Sequence, residues 1–204
     1  MSQKPIALFY GSTTCYTEMA GEKIRQQLGE DKVDIFNIAD TPLVQTGFYD
    51  YLIFGIPTWD YGELQEDWEN CWDELDQLDF TGKKVAIYGL GDQVGYPEWF
   101  LDAMGYLHSK LIHRGAIACG YWPREGYEFE ASKALTPDNN YFVGLALDEE
   151  NEFQKTHERI AMWCEQILRE FGMQTEKHDP TLTLPLPEEG TTPPPGKGEA
   201  GKGS

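Results

Sequence analysis

Short apolar runs alternate with amphipathic segments along most of this chain. The runs at 6–10 and 51–56 are apolar throughout, which is typical of parallel strands buried on both faces. The run at 33–37 alternates and indicates a more exposed strand, and 84–88 indicates a fourth strand.

The segments between these strands carry apolar residues at helical spacing, as amphipathic helices do. They predict helices at about 17–28, 65–75, 98–114 and 156–171. In the first helix we expect the inward positions to be Met19, Ala20, Ile24 and Leu28, and in the second Trp68, Cys71, Trp72 and Leu75.

The pattern breaks once, between 121 and 140, where aromatic, Gly, Pro and charged residues are mixed. Residues 117–120 begin a fifth strand before this break, and 141–147 resume as a strand after it. Regular alternation of strands and helices predicts an α/β fold with a doubly wound parallel sheet. Ligands of such sheets bind beyond the carboxyl ends of the strands, at the switch in strand order. The loops after strands one, three and four are expected there.

The first of these loops is rich in hydroxyl groups. Gly11 is followed by Ser12, Thr13, Thr14 and Thr17, and an amphipathic helix comes next. The first N–H groups of a helix have no intrahelical partner, and the helix dipole adds positive charge there. One helix cap needs one hydroxyl, whereas this loop has four. The loop therefore predicts a phosphate site, held by neutral donors because no Lys or Arg lies between Gly11 and Glu18.

The other two loops carry aromatic residues. Trp59 follows strand three and Tyr96 follows strand four, so the pair could sandwich a planar ring. The alternative is that loop aromatics cap the core, which suits Trp68, Trp72 and Trp163 but not Trp59. Four further loop residues would let the backbone approach such a ring and place acceptors at its edge: Gly62, Gly91, Asp60 and Asp92.

Composition limits the classes of partner. The chain has 204 residues, 40% of them hydrophobic, and a formal net charge of −19. A hydrophobic content this high suits a folded domain, expected at 1–173 and followed by a disordered Pro- and Gly-rich tail at 174–204. The acidity argues against nucleic acid and anionic membranes, and for basic protein partners.

Targeting and cysteine patterns point to the cytoplasm. The N-terminus enters an apolar strand within five residues, so we expect no secretory signal. The four cysteines, Cys15, Cys71, Cys119 and Cys164, have no metal-type spacing, so reduced thiols are expected.

Taken together, the loops resemble those of flavodoxins of the long-chain type. The segment 11–18 (GSTTCYTE) resembles their phosphate loop, 55–68 (GIPTWDYGELQEDW) their second loop, and 91–96 (GDQVGY) their third. Residues 120–127 and 144–148 are similar to the insertion that splits the fifth strand of this family. The resemblance covers about residues 5–172 and implies the strand order 2-1-3-4-5, with helices on both faces.

The resemblance implies non-covalently bound FMN and no substrate turnover. It also implies a monomeric, low-potential one-electron carrier. Its partners would be a basic-faced NADPH-flavoprotein reductase and iron–sulfur or radical acceptor enzymes, bound transiently. By position, the phosphate would be held by Ser12, Thr13, Thr14, Cys15, Tyr16 and Thr17. The ring and its linker would contact Pro57, Thr58, Trp59, Asp60, Tyr61, Gly62, Leu90, Gly91, Asp92, Gln93, Tyr96, Trp99 and Asp148. Cys15 departs from the family pattern, which often has Gly there.

Four other classes of protein fit these residues less well. A low-molecular-weight phosphotyrosine phosphatase needs an Arg six residues after its Cys, where Gly21 stands, and a receiver domain needs an Asp where Ile56 and Pro57 stand. An NAD(P)H-dependent FMN quinone reductase of the same fold needs an open ring face, which Trp59 and Tyr96 would cover. An acidic interaction module with an empty site would not need the complete set of hydroxyls.

Overall fold

The structure is a computed structural model that describes residues 4–173. The tail predicted at 174–204 lies outside the described residues, and both it and the domain boundary stay predictions. The described strands are β1 (Ile6–Tyr10), β2 (Val33–Asn37), β3 (Tyr51–Trp59), β4 (Glu63–Leu64), β5 (Lys84–Leu90), β6 (Ile117–Cys119), β7 (Trp122–Pro123), β8 (Tyr141–Phe142) and β9 (Leu145–Leu147). The α-helices are α1 (Tyr16–Leu28), α2 (Glu66–Cys71), α3 (Asp102–His113) and α4 (Thr156–Phe171).

A parallel sheet forms the centre of the fold, in the spatial order β2-β1-β3-β5-β6. β1 pairs with both β2 and β3, in a register that places Ile6 opposite Val33 and Tyr51. All five residues of β1 are buried, as expected for a strand covered on both faces. The predicted doubly wound sheet and its strand order are confirmed.

The fifth position of the sheet is shared by two short strands. β6 pairs with the first part of β5, where Ala86 lies opposite Cys119. β9 pairs with the last part, where Tyr88 lies opposite Leu145. The segment between them forms the small antiparallel pair β7–β8. The predicted insertion therefore splits the last strand, as the resemblance implied.

Helices cover both faces of the sheet. α1 packs against α4 on one face, and α3 packs on β3 and β5 on the other. Aromatic rings fill the layer beneath α2: Phe54 packs edge-on against Trp68 at 6.1 Å and against Phe80 at 6.2 Å. Burying a ring of this size contributes about 1.5–3 kcal/mol. In the part of the chain from residue 4 to 173, no helix combines the length and apolarity needed to cross a bilayer.

Two predicted helices are shorter than expected. The helix predicted at 98–114 begins only at Asp102, because Leu101 has a positive φ of 63° and Pro97–Trp99 forms a separate 3-10 turn. The helix predicted at 65–75 changes to a 3-10 helix at Trp72–Gln77. Acidic residues crowd that end, where the helix dipole is also negative.

Other details of the prediction were also wrong. The run at 141–147 is not one strand, since the chain turns at Gly144, where a Cβ would collide with the Ile87 carbonyl oxygen. Met19 faces outward, 51% exposed, and Thr17 and Gly21 are buried in its place. Trp72 is only half-buried, with Lys110 Nζ 4.9 Å from its ring centroid.

Candidate functional site

A cleft of about 290 Å³ lies at the carboxyl ends of β1, β3 and β5. This is where a ligand site is expected in an open α/β sheet. Its walls come from the loops that follow these strands and from the loop after β9. The lining residues are Thr14, Tyr16, Thr17, Pro57, Thr58, Trp59, Asp60, Leu90, Gly91, Asp92, Tyr96, Trp99, Phe100, Glu149 and Glu150.

The loop between β1 and α1 forms the hydroxyl-lined end of the cleft. Ser12 Oγ is buried and has no hydrogen-bond partner among the described residues. A buried hydroxyl without a partner is costly, so its presence indicates a missing acceptor. Free N–H groups at the start of α1 lie in the same loop. This donor set fits an anion such as a phosphate.

Cys15 stands immediately before α1 with a left-handed backbone conformation, at φ 67°. Few residues other than glycine adopt this conformation without strain. The thiol is exposed and does not line the cleft. A Cys where flavodoxins often have Gly therefore removes none of the hydroxyl groups of this loop.

A buried tyrosine holds the start of α1 against the sheet. Tyr88 passes between Gly21 and Gly55, where Cβ atoms would collide with its side chain or crowd it closely, and its hydroxyl donates to Thr17 O at 2.9 Å. Full burial raises the pKa of Tyr88 well above its usual value. Burial and a hydrogen bond with Glu18 raise the pKa of Tyr10, at the end of β1, to about 12. Both phenols stay protonated, so they act as donors beneath the loop.

The aromatic end of the cleft is built on a tight hairpin. Asp60 (φ 41°) and Gly62 (φ 89°) reverse the chain, and Glu63 then pairs with Trp59. Trp59 is half-buried, and Tyr96 approaches from the loop after β5 with 39% exposure. At the rim, the Tyr61 ring lies edge-on to Trp99 at 5.1 Å and to Tyr96 at 6.4 Å. This arrangement can cover a flat aromatic ligand.

Asp148 ties the loop after β5 to the loop after β9. It is fully buried, and its carboxylate accepts hydrogen bonds from the backbone N–H and side-chain amide of Gln93 at 3.1 and 2.9 Å. It also accepts from the backbone and side chain of Asn151. Gln93 is itself buried, with its Oε1 accepting from Glu128 N at 2.7 Å. Asp148 and Gln93 thus hold the loops after β5 and β9 together without lining the cleft.

Comparison with known proteins gives a family for this arrangement. The flavodoxin family model matches residues 8–163, which is more than half of the chain. The chain belongs to the flavodoxin family. It is 58% identical to flavodoxin 2 of Escherichia coli (strain K12) over 167 residues, covering 82% of this chain and 96% of that protein. It is 50% identical to the flavodoxin of Synechococcus elongatus over 169 residues, covering 82% and 98%.

Solved structures agree with this assignment. The chain resembles the crystal structure of Fusobacterium nucleatum flavodoxin bound to flavin mononucleotide, with a TM-score of 0.77 and 33% identity. The match covers 82% of this chain and 99% of that one. The phosphatase and receiver alternatives are therefore wrong.

The flavodoxin cleft brings together most of the predicted site. Twelve predicted residues line it: Thr14, Tyr16, Thr17, Pro57, Thr58, Trp59, Asp60, Leu90, Gly91, Asp92, Tyr96 and Trp99. The others lie in the loop backbones, at the rim or behind the walls: Ser12, Thr13, Cys15, Tyr61, Gly62, Gln93 and Asp148. Gln93 and Asp148 are the clearest cases of residues that the structure does not bring into the cleft.

Three lining residues were not predicted from the sequence. Glu149 and Glu150 directly follow β9, so the rule that ligands bind at carboxyl ends of strands could have found them. Phe100 had no such signal, because it fell inside a predicted helix. Its ring lies 5.2–5.9 Å from three rings of the insertion, those of Tyr127, Phe129 and Phe142.

Replacing Asp148 by alanine is expected to lower the free energy of unfolding by about 2 kcal/mol or more. The change leaves the amide groups of Gln93 buried without their acceptor, and each such group costs about 1–3 kcal/mol. Urea unfolding followed by circular dichroism measures the difference. Asp138→Ala, an exposed carboxylate in a turn, is the control and should change stability much less. Equal losses in the two variants would contradict the role of Asp148.

Proposed function

We propose that this flavodoxin binds FMN in the cleft and carries single electrons at low potential. The observation that carries the proposal is the unpartnered Ser12 hydroxyl in a loop whose other donors are also neutral. A phosphate satisfies such donors, and riboflavin without its phosphate does not. The relative from Fusobacterium nucleatum is described as bound to flavin mononucleotide, which agrees with this ligand.

Two groups of residues would contact FMN, one at its phosphate and one at its ring. Ser12 and the threonines of the loop would hold the phosphate, helped by the N–H groups at the start of α1. Trp59 and Tyr96 would cover the ring and exclude water, while Asp60 and Asp92 lie at the cleft wall. FMN supplies the one-electron chemistry that the side chains lack.

Charge around the ring would keep the potential low. Residues 1–173 carry a formal charge of −17, since the whole chain has −19 and residues 174–204 contribute five acidic and three basic side chains. Asp60, Asp92, Glu149 and Glu150 all line the cleft. Negative charge in a site that excludes water disfavours further negative charge on the ring, which lowers the potential for adding electrons.

The same acidity supports a class of partner. Glu63, Glu66 and Glu69 are exposed on the hairpin and on α2, next to the aromatic end of the cleft. We propose transient contact with a basic-faced NADPH-flavoprotein reductase as donor and with iron–sulfur or radical enzymes as acceptors. Small transient interfaces of this kind depend on charge for steering. We also propose a monomer that works in the cytoplasm.

The purified protein is expected to be yellow and to release FMN. An absorption spectrum with mass identification of the released ligand tests this directly. Recovery of FAD, or of a colourless protein that FMN does not titrate, would contradict the proposal. NADPH added to the holoprotein should bleach the flavin only when a reductase is present. Direct bleaching would favour the quinone reductase, an alternative that the family assignment does not favour.

A further inference from the structure

Gln65 is a buried polar side chain with no place in the function described so far. It is 2% exposed and stands between β4 and α2. A buried carboxamide is costly unless its groups are hydrogen-bonded. The hydrogen-bond partners of Gln65 therefore indicate its role.

The carboxamide makes hydrogen bonds in three directions. Its Nε2 donates to Thr13 Oγ1 at 3.1 Å and to Asp67 Oδ2 at 2.6 Å. Its Oε1 accepts from the N–H of Trp68 at 3.4 Å. A carboxylate only accepts and a backbone N–H only donates, so turning the amide over would lose both bonds. Gln65 is therefore fixed as the donor, and Thr13 as the acceptor.

This hydrogen bond joins the two ends of the cleft. Thr13 belongs to the phosphate loop, whereas Gln65 directly follows β4, whose Glu63 pairs with Trp59. Gly11 leaves the room that the Gln65 and Trp68 side chains occupy. A Cβ on Gly11 would lie 2.5 Å from Gln65 Oε1 and 2.8 Å from the Trp68 ring.

We propose that Gln65 is a positioning residue for FMN, which holds the phosphate loop at a fixed distance from the ring-binding hairpin through the Thr13 hydroxyl. The inference rests on the proposed binding of FMN. FMN spans both ends of the cleft, whereas riboflavin occupies only the ring end. A phosphate loop released from Gln65 therefore penalises FMN and leaves riboflavin binding almost unchanged.

The test is a double-mutant cycle on the full-length chain after removal of FMN. Gln65→Met and Thr13→Val keep side-chain size and remove the hydrogen bond from either end. Dissociation constants for FMN and riboflavin are measured for both variants, for the double variant and for Thr13→Ser, which keeps the hydroxyl. Gln65→Met should lower the preference for FMN over riboflavin about fivefold, as expected for one neutral hydrogen bond. Thr13→Val should lower it further, because the Thr13 hydroxyl is also one of the proposed phosphate donors. The double variant should lose no more than Thr13→Val alone, and Thr13→Ser should keep the wild-type preference.

Two results would overturn the inference. Equal weakening of FMN and riboflavin by Gln65→Met would show a purely structural role, and additive losses in the double variant would show that the two residues act independently. If Gln65→Met does not fold, Gln65→Asn takes its place, because its carboxamide is one methylene too short to keep the hydrogen bond to Thr13. An unchanged preference for FMN in that variant would also overturn the inference. A wild-type protein without preference for FMN over riboflavin would instead contradict the proposed function itself.

Discussion

Replacing Thr14 and Thr17 together by alanine is expected to weaken FMN binding by about a hundredfold or more, and riboflavin binding far less. Both residues line the cleft, and no cation lies between Gly11 and Glu18 to compensate. A hydrogen bond to a charged group contributes about 1.5–3 kcal/mol, so two lost bonds amount to about 3–6 kcal/mol. Fluorescence titration of the apoprotein with each flavin measures the effect.

The control for this prediction is the pair of conservative changes Thr14→Ser and Thr17→Ser. These changes keep both hydroxyls and remove only methyl groups, so FMN affinity should remain close to wild type. Thr17 is 2% exposed, and circular dichroism must therefore establish that the alanine variant is folded. Equal losses for FMN and riboflavin would mean that these hydroxyls do not contact the phosphate.

Reversing the charge of Glu63, Glu66 and Glu69 to Lys is expected to slow reduction by a basic-faced NADPH-flavoprotein reductase at low salt. Electrostatic steering raises encounter rates by about 10–1,000-fold, and the gain disappears as salt shortens the Debye length from ~30 Å at 0.01 M to ~10 Å at 0.1 M. Asp67, although acidic and nearby, is excluded from the set because it accepts the hydrogen bond from Gln65. The measurement is the stopped-flow association rate against ionic strength.

A matched control separates steering from net charge. Asp31, Asp50 and Glu165 are exposed, and the first two precede β2 and β3 at the opposite edge of the sheet. Reversing these three changes the net charge equally and should leave most of the salt dependence in place. FMN affinity should stay nearly constant in both triple variants. Parallel salt slopes for the wild type and the Glu63, Glu66 and Glu69 variant would show that this surface does not steer the partner.

The sheet could be predicted because buried parallel strands leave a continuous apolar signal. The run at 6–10 is fully buried, and its neighbours follow in the predicted order. Helix boundaries were less predictable, because they depend on local conformation. Leu101 adopts a left-handed conformation that helical spacing does not reveal, so α3 begins four residues later than expected.

The cleft was predictable where chemistry and loop position agreed. Hydroxyls after β1 and aromatics after β3 and β5 fall at one edge of the sheet by topology alone. Buried side chains that support the cleft walls without lining them carry no such signal in the sequence. Asp148 and Gln93 bond to each other inside the protein, and Gln65 reaches Thr13 from 52 residues away. Only the folded arrangement separates these supporting roles from direct contact.

The split fifth strand marks the segment between β6 and β9 as a place where the sequence can change without disturbing the sheet. Cys119, the last residue of β6, pairs with Ala86, and Leu145, the first of β9, pairs with Tyr88. The insertion therefore leaves and re-enters the sheet beside β5 positions only two residues apart, about 7 Å along that strand. A segment with such close ends can be exchanged, in nature or by design, as a cassette that leaves the strands in place. A change of the insertion would alter the packing around Phe100, because this residue lines the cleft and packs on rings of the insertion. Members with different cassettes are thus expected to keep the same sheet and to diverge in how tightly they retain their flavin.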